Sequence, residues 1–303
     1  MKFGFNLPQI GPAATHVAVI AVAKQAEALG YDGLWVTDRV LYPVEPQSGY
    51  GGRPDASIPT QYQIVLDPIE TLTFAAAYTS RVSLGTSVLI FGYYNPVLMA
   101  RRLTTLDIFS NGRLKVGFGQ GWSKDEFDAT NGSMKNRAEV ADEFLEVLHA
   151  IWTNDTVEYK GKHFVIPKSI IQPKPVQKPH PPIYLAAFSP GAMKRLATMA
   201  DGWNPVGMPP TQLAPMLQGI REMAKAAGRN PDEIKMLYRA NVNLTPEPLG
   251  EDRWAFSGSL DQIKADIKAA EANGVDELFF DPTFSPAGAT VEGFLDLMQK
   301  LKP

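Results

Sequence analysis

The chain has 303 residues, 45% hydrophobic and 20% charged, an ordinary globular balance at a length that a single α/β barrel reaches. It holds no cysteine, which excludes a disulfide framework, a thiolate nucleophile, a zinc ribbon and a cysteine-held iron–sulfur cluster. A formal charge of -3 gives no bulk attraction to nucleic acid or anionic membranes, and no apolar run approaches the ~20 residues of a bilayer span. The opening stretch Met1–Ile10 is interrupted by Asn6 and Pro8, too broken for a signal peptide, so a cytoplasmic location is expected.

Along the chain, short apolar runs alternate with longer amphipathic segments. Lys2–Leu7 reads as a strand and Thr15–Leu29 as a helix capped by Gly30; Gly33–Val36 is the second strand. The following stretch, 40–66, holds Pro43, Pro46, Gly49, Gly51, Gly52, Pro54 and Pro59, too much punctuation for a regular element. A loop this long leaving the carboxyl end of a barrel strand is expected to cover a pocket, with Tyr50 near the substrate. Pro68–Ser80 is helical and Val82–Leu89 is a β-branched strand. Pro96–Phe109 is a helix behind Asn95, ended by Asn111–Gly112. Leu114–Phe118 is the fourth strand and Arg137–Trp152 the fourth helix.

Thr156–Ile166, with apolar residues around Lys160–Gly161–Lys162, reads as a small hairpin outside the alternation. Pro167–Pro182 is proline-rich and extended, either an interdomain linker or a surface crossing within one domain; the βα rhythm resumes unchanged after it, which favours the crossing. Strands over Ile183–Ala187, Gly202–Asn204, Ile234–Leu244 and Glu277–Asp281 then alternate with helices over Pro190–Ala200, Thr211–Ala227, Ser259–Asn273 and Thr290–Leu301. The fold class is α/β. Eight strands in strict alternation with helices predict a single (β/α)₈ TIM barrel over 1–303 with a small hairpin insertion.

In such a barrel the reactive groups follow the strand ends. Asp38–Arg39 after the second strand is either a surface ion pair or a polar pair facing the pocket, and its position favours the pocket. Gly117–Gly121 lacks the spacing of a dinucleotide loop; its glycines suit close approach to a flat ligand or plain turns. Trp122 has the strongest positional case among the aromatic residues for a pocket wall. Ser189–Pro190–Gly191 opens a helix with a hydroxyl N-cap and exposed N–H groups, a phosphate candidate or an ordinary helix start. Glu126 and Arg137 read as a structural pair. The histidines His16, His149, His163 and His180 lack metal-like spacing, so no metal site is expected.

The segments GYDGLWVTDRV (30–40), DPIETLTF through KVGFGQGW (67–122) and PKPVQKPH through TMADGW (173–203) resemble the luciferase-like monooxygenase superfamily, closest to its coenzyme F-420-dependent oxidoreductase branch. The resemblance implies a barrel that binds the deazaflavin F-420 or, alternatively, FMN. It places Asp38 on the cofactor ring and a non-prolyl cis peptide at Ser87–Val88 under one ring face. Gln120 and Gly121 would flank the ring edge, and Ala187, Phe188, Ser189, Pro190 and Gly191 would hold the phosphate.

The chain departs from the related sugar-phosphate dehydrogenases, which carry histidine where it has Arg39 and glutamate where it has Trp122. Without that base and acid, alcohol oxidation on a sugar phosphate is not expected. Arg39 is the candidate catalytic residue, able to stabilise an enolate or an anionic reduced ring, and Trp122 and Tyr50 would face an apolar substrate. The resulting expectation is hydride transfer between F-420 and an activated alkene, imine or carbonyl. The alternative is an FMN-dependent monooxygenase. Other readings, a metal-dependent hydrolase and a flavin-binding protein without turnover, have less in the sequence to support them. The implied partners are a second copy in a homodimer and a separate reductase or F-420-reducing dehydrogenase, with no nucleic acid and no membrane.

Overall fold

The alternation of apolar and amphipathic segments closes on itself in the computed structural model, which describes residues 1–303. The strands are β1 (Lys2–Asn6), β2 (Gly33–Val36), β3 (Ser83–Thr86) with its continuation β4 (Leu89–Ile90), and β5 (Leu114–Gly119). β6 (Thr156–Lys160) and β7 (Val165–Ile170) stand apart as an antiparallel hairpin. Then come β8 (Ile183–Leu185), β9 (Gly202–Trp203), β10 (Lys235–Asn241), the short parallel pair β11 (Asn243–Leu244) and β12 (Ser257–Gly258), and β13 (Glu277–Asp281). Every barrel pairing is parallel, and β3 pairs with β5 while β13 pairs with β1, so no edge is left open.

Around the barrel lie α1 (His16–Leu29), α2 (Pro68–Ala76), α3 (Pro96–Phe109), the short α4 (Lys124–Ala129), α5 (Arg137–Thr153), α6 (Pro190–Met199), α7 (Leu213–Ala226), α8 (Leu260–Ala272) and α9 (Val291–Lys300). Local chemistry fixes their ends. The Thr15 hydroxyl accepts from the Ala18 N–H to start α1, and Gly30 ends it in the left-handed conformation at φ 88°. Ser259 and Gln262 form a reciprocal capping box on α8. One apolar core runs from Phe5 to Leu301 between barrel and helices.

The structure corrects several expected boundaries. α2 stops at Ala76 rather than Ser80, because the Glu27 carboxylate takes the N–H groups of Ser80, Arg81 and Val82 and pulls that segment out of the helix. The expected strand Val82–Leu89 is split at Ser87–Val88, where the peptide is cis. The hairpin reaches Ile170, so the proline-rich segment is partly strand; Pro167 is tolerated there because a two-stranded ribbon offers it an unpaired edge. Ile234–Leu244 is broken at Val242, whose N–H turns to the Asp281 carbonyl at 2.9 Å.

Inside the barrel the indole of Trp35 stacks on Phe279, ring centroids 4.3 Å apart, with Tyr184 and Leu237 completing the layer. Its Nε1 donates to Glu277 at 3.1 Å, and Glu277 in turn pairs with Lys115 below. Glycines face this ring from neighbouring strands: a methyl group on Gly85 would overlap the indole. Gly85→Ala should therefore cost roughly 1–3 kcal/mol by overpacking, read as a lowered midpoint in chemical denaturation. A variant as stable as the parent would show that Trp35 does not depend on the glycine.

Candidate active site

The carboxyl ends of the strands carry the polar groups of the barrel. Asn6 ends β1, Asp38 and Arg39 follow β2, and Ser87 follows β3. Gln120 to Trp122 follow β5, Asn204 follows β9, and Asp281 ends β13. Burying so many polar groups at one end is costly unless they are paired, so their partners define what the site can hold.

Arg39 is locked in place. Its Nη1 donates to Glu126 Oε2 at 3.0 Å, and the planar guanidinium lies 4.5 Å from the Trp122 ring and 4.8 Å from the Tyr62 ring. Glu126 is wholly buried on α4, whose first turn is capped by Ser123. Its other oxygen accepts from the Val40 N–H at 2.7 Å, and the Tyr93 hydroxyl donates to Oε2 at 2.9 Å. This corrects the expected Glu126–Arg137 pair: Arg137 instead donates to the Gly121 carbonyl at 3.1 Å, bracing the positive-φ turn before Trp122. Arg39 Nε and Nη2 remain buried with no acceptor.

Asp38 and Arg39 do not pair with each other. The Asp38 carboxylate accepts from the Tyr94 hydroxyl at 2.9 and 3.0 Å and from the Ile90 N–H at 3.2 Å. Burial pushes its proton affinity up, from an ordinary 3.8 to about 7, against the two hydrogen bonds that favour the anion. Near neutrality this carboxyl is thus poised between donor and acceptor.

Beneath it, the Ser87 carbonyl accepts from Thr37 Oγ1 at 3.1 Å and from Arg239 Nη1 at 3.1 Å. Arg239 also pairs with Asp281, which takes the Thr283 N–H at 3.0 Å. Val88 faces Gly119 across the β4–β5 pairing, where a side chain on the glycine would clash. Asn6 Oδ1, Asn204 Nδ2 and Arg239 Nε are buried without partners, three more polar atoms at this one end of the barrel. Orphaned polar groups are rare in folded proteins, and their convergence on one mouth marks a ligand site.

On the rim, Ala187 is buried and its carbonyl holds Trp203 Nε1, while Phe188 is half exposed. Ser189 caps α6 by accepting from the Ala192 N–H at 3.3 Å, Pro190 takes the first helical position, and a side chain on Gly191 would meet nothing within 4 Å. The long loop 40–66 lies over the mouth, as expected. Tyr50 packs edge-on to Trp122 with centroids 5.5 Å apart and also touches Phe284. The structure thus brings Arg39, Trp122 and Tyr50 into one cluster, leaves Asp38 beside the broken third strand, and sets the Ser189 turn apart on the rim. Sequence reasoning missed Tyr62, Tyr94, Asn204, Arg239 and Asp281. A charged residue inside the apolar run of β10 was the one signal that could have found Arg239. No three histidine, aspartate or glutamate side chains are arranged to hold a metal ion.

Fold and site describe a barrel with a buried polar pocket at the carboxyl ends of its strands, and its family and relatives make it an oxidoreductase or monooxygenase enzyme. Residues 1–249 match the family model described as luciferase-like monooxygenase, and the chain belongs to that family. An uncharacterised protein of Mycobacterium tuberculosis is 34% identical over 242 residues, covering 78% of this chain and 83% of the relative. A coenzyme F-420-dependent glucose-6-phosphate dehydrogenase of Nakamurella multipartita is 29% identical over 251 residues, 80% of this chain and 68% of that one. Among solved structures, the monooxygenase RslO1 from Streptomyces bottropensis superposes with a TM-score of 0.82 at 24% identity, covering 100% of this chain and 98% of its own. The coenzyme F-420-dependent tetrahydromethanopterin reductase from Methanopyrus kandleri gives 0.76 at 19% identity, covering 99% and 97%.

Two outcomes test this geometry. The folded chain retains an Asp38 proton that the unfolded chain releases, so its stability should fall as pH rises from about 4 through about 7. Asp38→Asn does not titrate; its melting temperature relative to the parent should climb over that window, by roughly 2–4 °C per kcal/mol. A difference independent of pH would refute the raised affinity. Separately, Glu126→Gln leaves the Arg39 charge buried without its counter-ion and should cost roughly 3–5 kcal/mol in denaturant unfolding, part of it recovered by adding Arg39→Met. No recovery in the double variant would show that Glu126 acts through its other contacts.

Proposed function

We propose that this protein is an oxidoreductase passing a hydride between the deazaflavin coenzyme F-420 and an apolar organic substrate bearing an activated alkene, imine or carbonyl. The observation that carries the reading is the buried Asp38 carboxyl, beside the Ser87–Val88 peptide and with its proton affinity raised to about 7. It can offer a hydrogen bond of either sense to the edge of a flat heterocycle. The orphaned polar atoms of Asn6 and Asn204 fit the same occupant, because a ring with several carbonyl and N–H groups supplies the partners they lack.

In this reading Asp38, Gln120 and Gly121 hold the ring edge, and Ser87–Val88 supports its face. Ala187, Phe188 and Ser189 to Gly191 hold the phosphate on the N–H groups that open α6. The cofactor, when bound, supplies the hydride chemistry. The chain's own contribution is electrostatic and steric. Arg39 is held against Glu126, and its unpartnered Nε and Nη2 offer N–H donors to negative charge developing nearby. Tyr50 and Trp122 keep water from that charge. Trp122 is not the proton donor that related sugar-phosphate dehydrogenases carry at that position, which argues against a sugar phosphate as substrate. The F-420-dependent relative at 29% identity supports the deazaflavin; the likeness to the monooxygenase RslO1 favours a second reading, an FMN-dependent monooxygenase on the same residues. A homodimer in the cytoplasm, served by a separate reductase or F-420-reducing dehydrogenase, completes the proposal.

Parallel titration of the pure protein with F-420 and FMN decides between the readings, and binding of neither overturns both. Gly191→Glu places a carboxylate where the phosphate would sit. Because open space surrounds Gly191, the variant should melt like the parent yet lose cofactor affinity by at least about tenfold. Ser189→Ala should weaken binding only modestly, since the backbone donors survive. Parent-like affinity in Gly191→Glu would move the phosphate elsewhere.

A further inference from the structure

Between β10, β13 and the loops above them lies a cavity of about 560 Å³, within the range of small-molecule sites. None of Asp38, Ser87 or the Ser189 turn lines it. Its walls are aromatic: Tyr50 from the long loop, Tyr238, Phe256 and Phe284, with Trp254 at the rim. Its charged groups are Arg239 and Asp281 on the floor and Asp252 and Arg253 near the opening.

Three observations select an occupant. Arg239 is 8% exposed and commits Nη1 to the Ser87 carbonyl and Nη2 to Asp281, while its Nε has no acceptor. A guanidinium carries five N–H donors, so an oxygen entering the chamber finds donors to spare. The second observation is charge. Arg239 is already neutralised by Asp281, and Arg253 is held in a fork by Asp266 at 2.6 and 2.8 Å. A carboxylate or phosphate would therefore meet Asp281 and Asp252 with no free cation to offset them, whereas a neutral carbonyl would not.

The third is Trp254, 72% exposed although both sides of it are tied down. Asp266 on α8 grips Arg253 on one side and accepts the Phe256 N–H at 2.7 Å on the other, where Phe256 sits at a positive φ of 62°. An indole held out over a cavity by anchored neighbours is a stacking surface.

We propose that this chamber is the substrate site and takes an uncharged, flat, polycyclic carbonyl compound. Its rings lie against Tyr50, Phe284 and Trp254 and its oxygen is on Arg239. The proposal rests on the oxidoreductase reading above, and it makes Trp254 a specificity-determining residue and Arg239 a positioning residue for the carbonyl.

Calorimetric titration of the 303-residue protein, as purified and after addition of F-420 or FMN, with fluorenone, fluorene and fluorenone monocarboxylate tests it. Fluorenone should bind, and the carboxylate should bind at least about tenfold more weakly. Trp254→Ala should weaken fluorenone roughly tenfold with unchanged melting temperature and cofactor affinity, since the side chain is exposed. Arg239→Lys should shrink the preference for fluorenone over fluorene, an effect that a purely structural role would not produce. The proposal is overturned if fluorenone fails to bind, if the carboxylate binds equally well, or if Trp254→Ala leaves fluorenone affinity unchanged. If fluorenone behaves as stated while neither cofactor binds, the chamber stands and the oxidoreductase reading alone fails.

Discussion

The indole of Trp35 occupies the middle of the barrel, and the residues around it are what a ring of that size demands. Gly4 and Gly85 give up side chains to admit it, Phe279 stacks on it, and Glu277 takes its N–H. With this layer filled, the barrel interior is closed from below, and the polar groups at the strand ends lie above it. The Lys115–Glu277 pair lies on the amino side of the layer and the Arg239–Asp281 pair on the carboxyl side. The packed layer therefore separates the end held by the Lys115–Glu277 pair from the end that carries the candidate site.

Above that floor, the mouth is organised by two buried ion pairs of different purpose. Arg39–Glu126 joins the end of β2 to the helix after β5 and, through Val40 and Tyr93, to the long loop and to the segment after β4. It fixes the aromatic cover of Tyr50, Tyr62 and Trp122 in one arrangement. Arg239–Asp281 fixes the Ser87 carbonyl and so the course of the broken third strand. Buried pairs contribute little net stability; here both hold loops in register, and both leave guanidinium N–H groups unpartnered.

The carboxyl of Asp38 belongs to neither pair. Its partners are a hydroxyl and a backbone N–H, too little to keep it fully ionised in so buried a place. A site that keeps one carboxyl near its titration point, two cations fixed by counter-ions and a helix start open on the rim offers hydrogen bonds of both senses and fixed dipoles. Those features are what the proposed reading asks of the site.

Sequence alone determined the barrel, because alternation of strand and helix periods leaves few ways to bury both. It also determined which residues follow strand ends, so Asp38, Arg39, Trp122 and the Ser189 turn could be named as candidates before any coordinates, while Ser87 came from the family resemblance. The covering role of the 40–66 loop was legible from its prolines and glycines. Partnership was not. Glu126 could have paired with Arg137 or Arg39, and spacing along the chain says nothing of which arginine a buried carboxylate meets after folding. Tyr94 carried no local signal, and Asn204 and Asp281 only that of ending expected strands; which groups they meet depends on contacts across 56, 117 and 42 residues. Only tertiary structure decided these, because the energy of a buried polar group depends on what surrounds it in space, while sequence periodicity reports only which face of an element is buried.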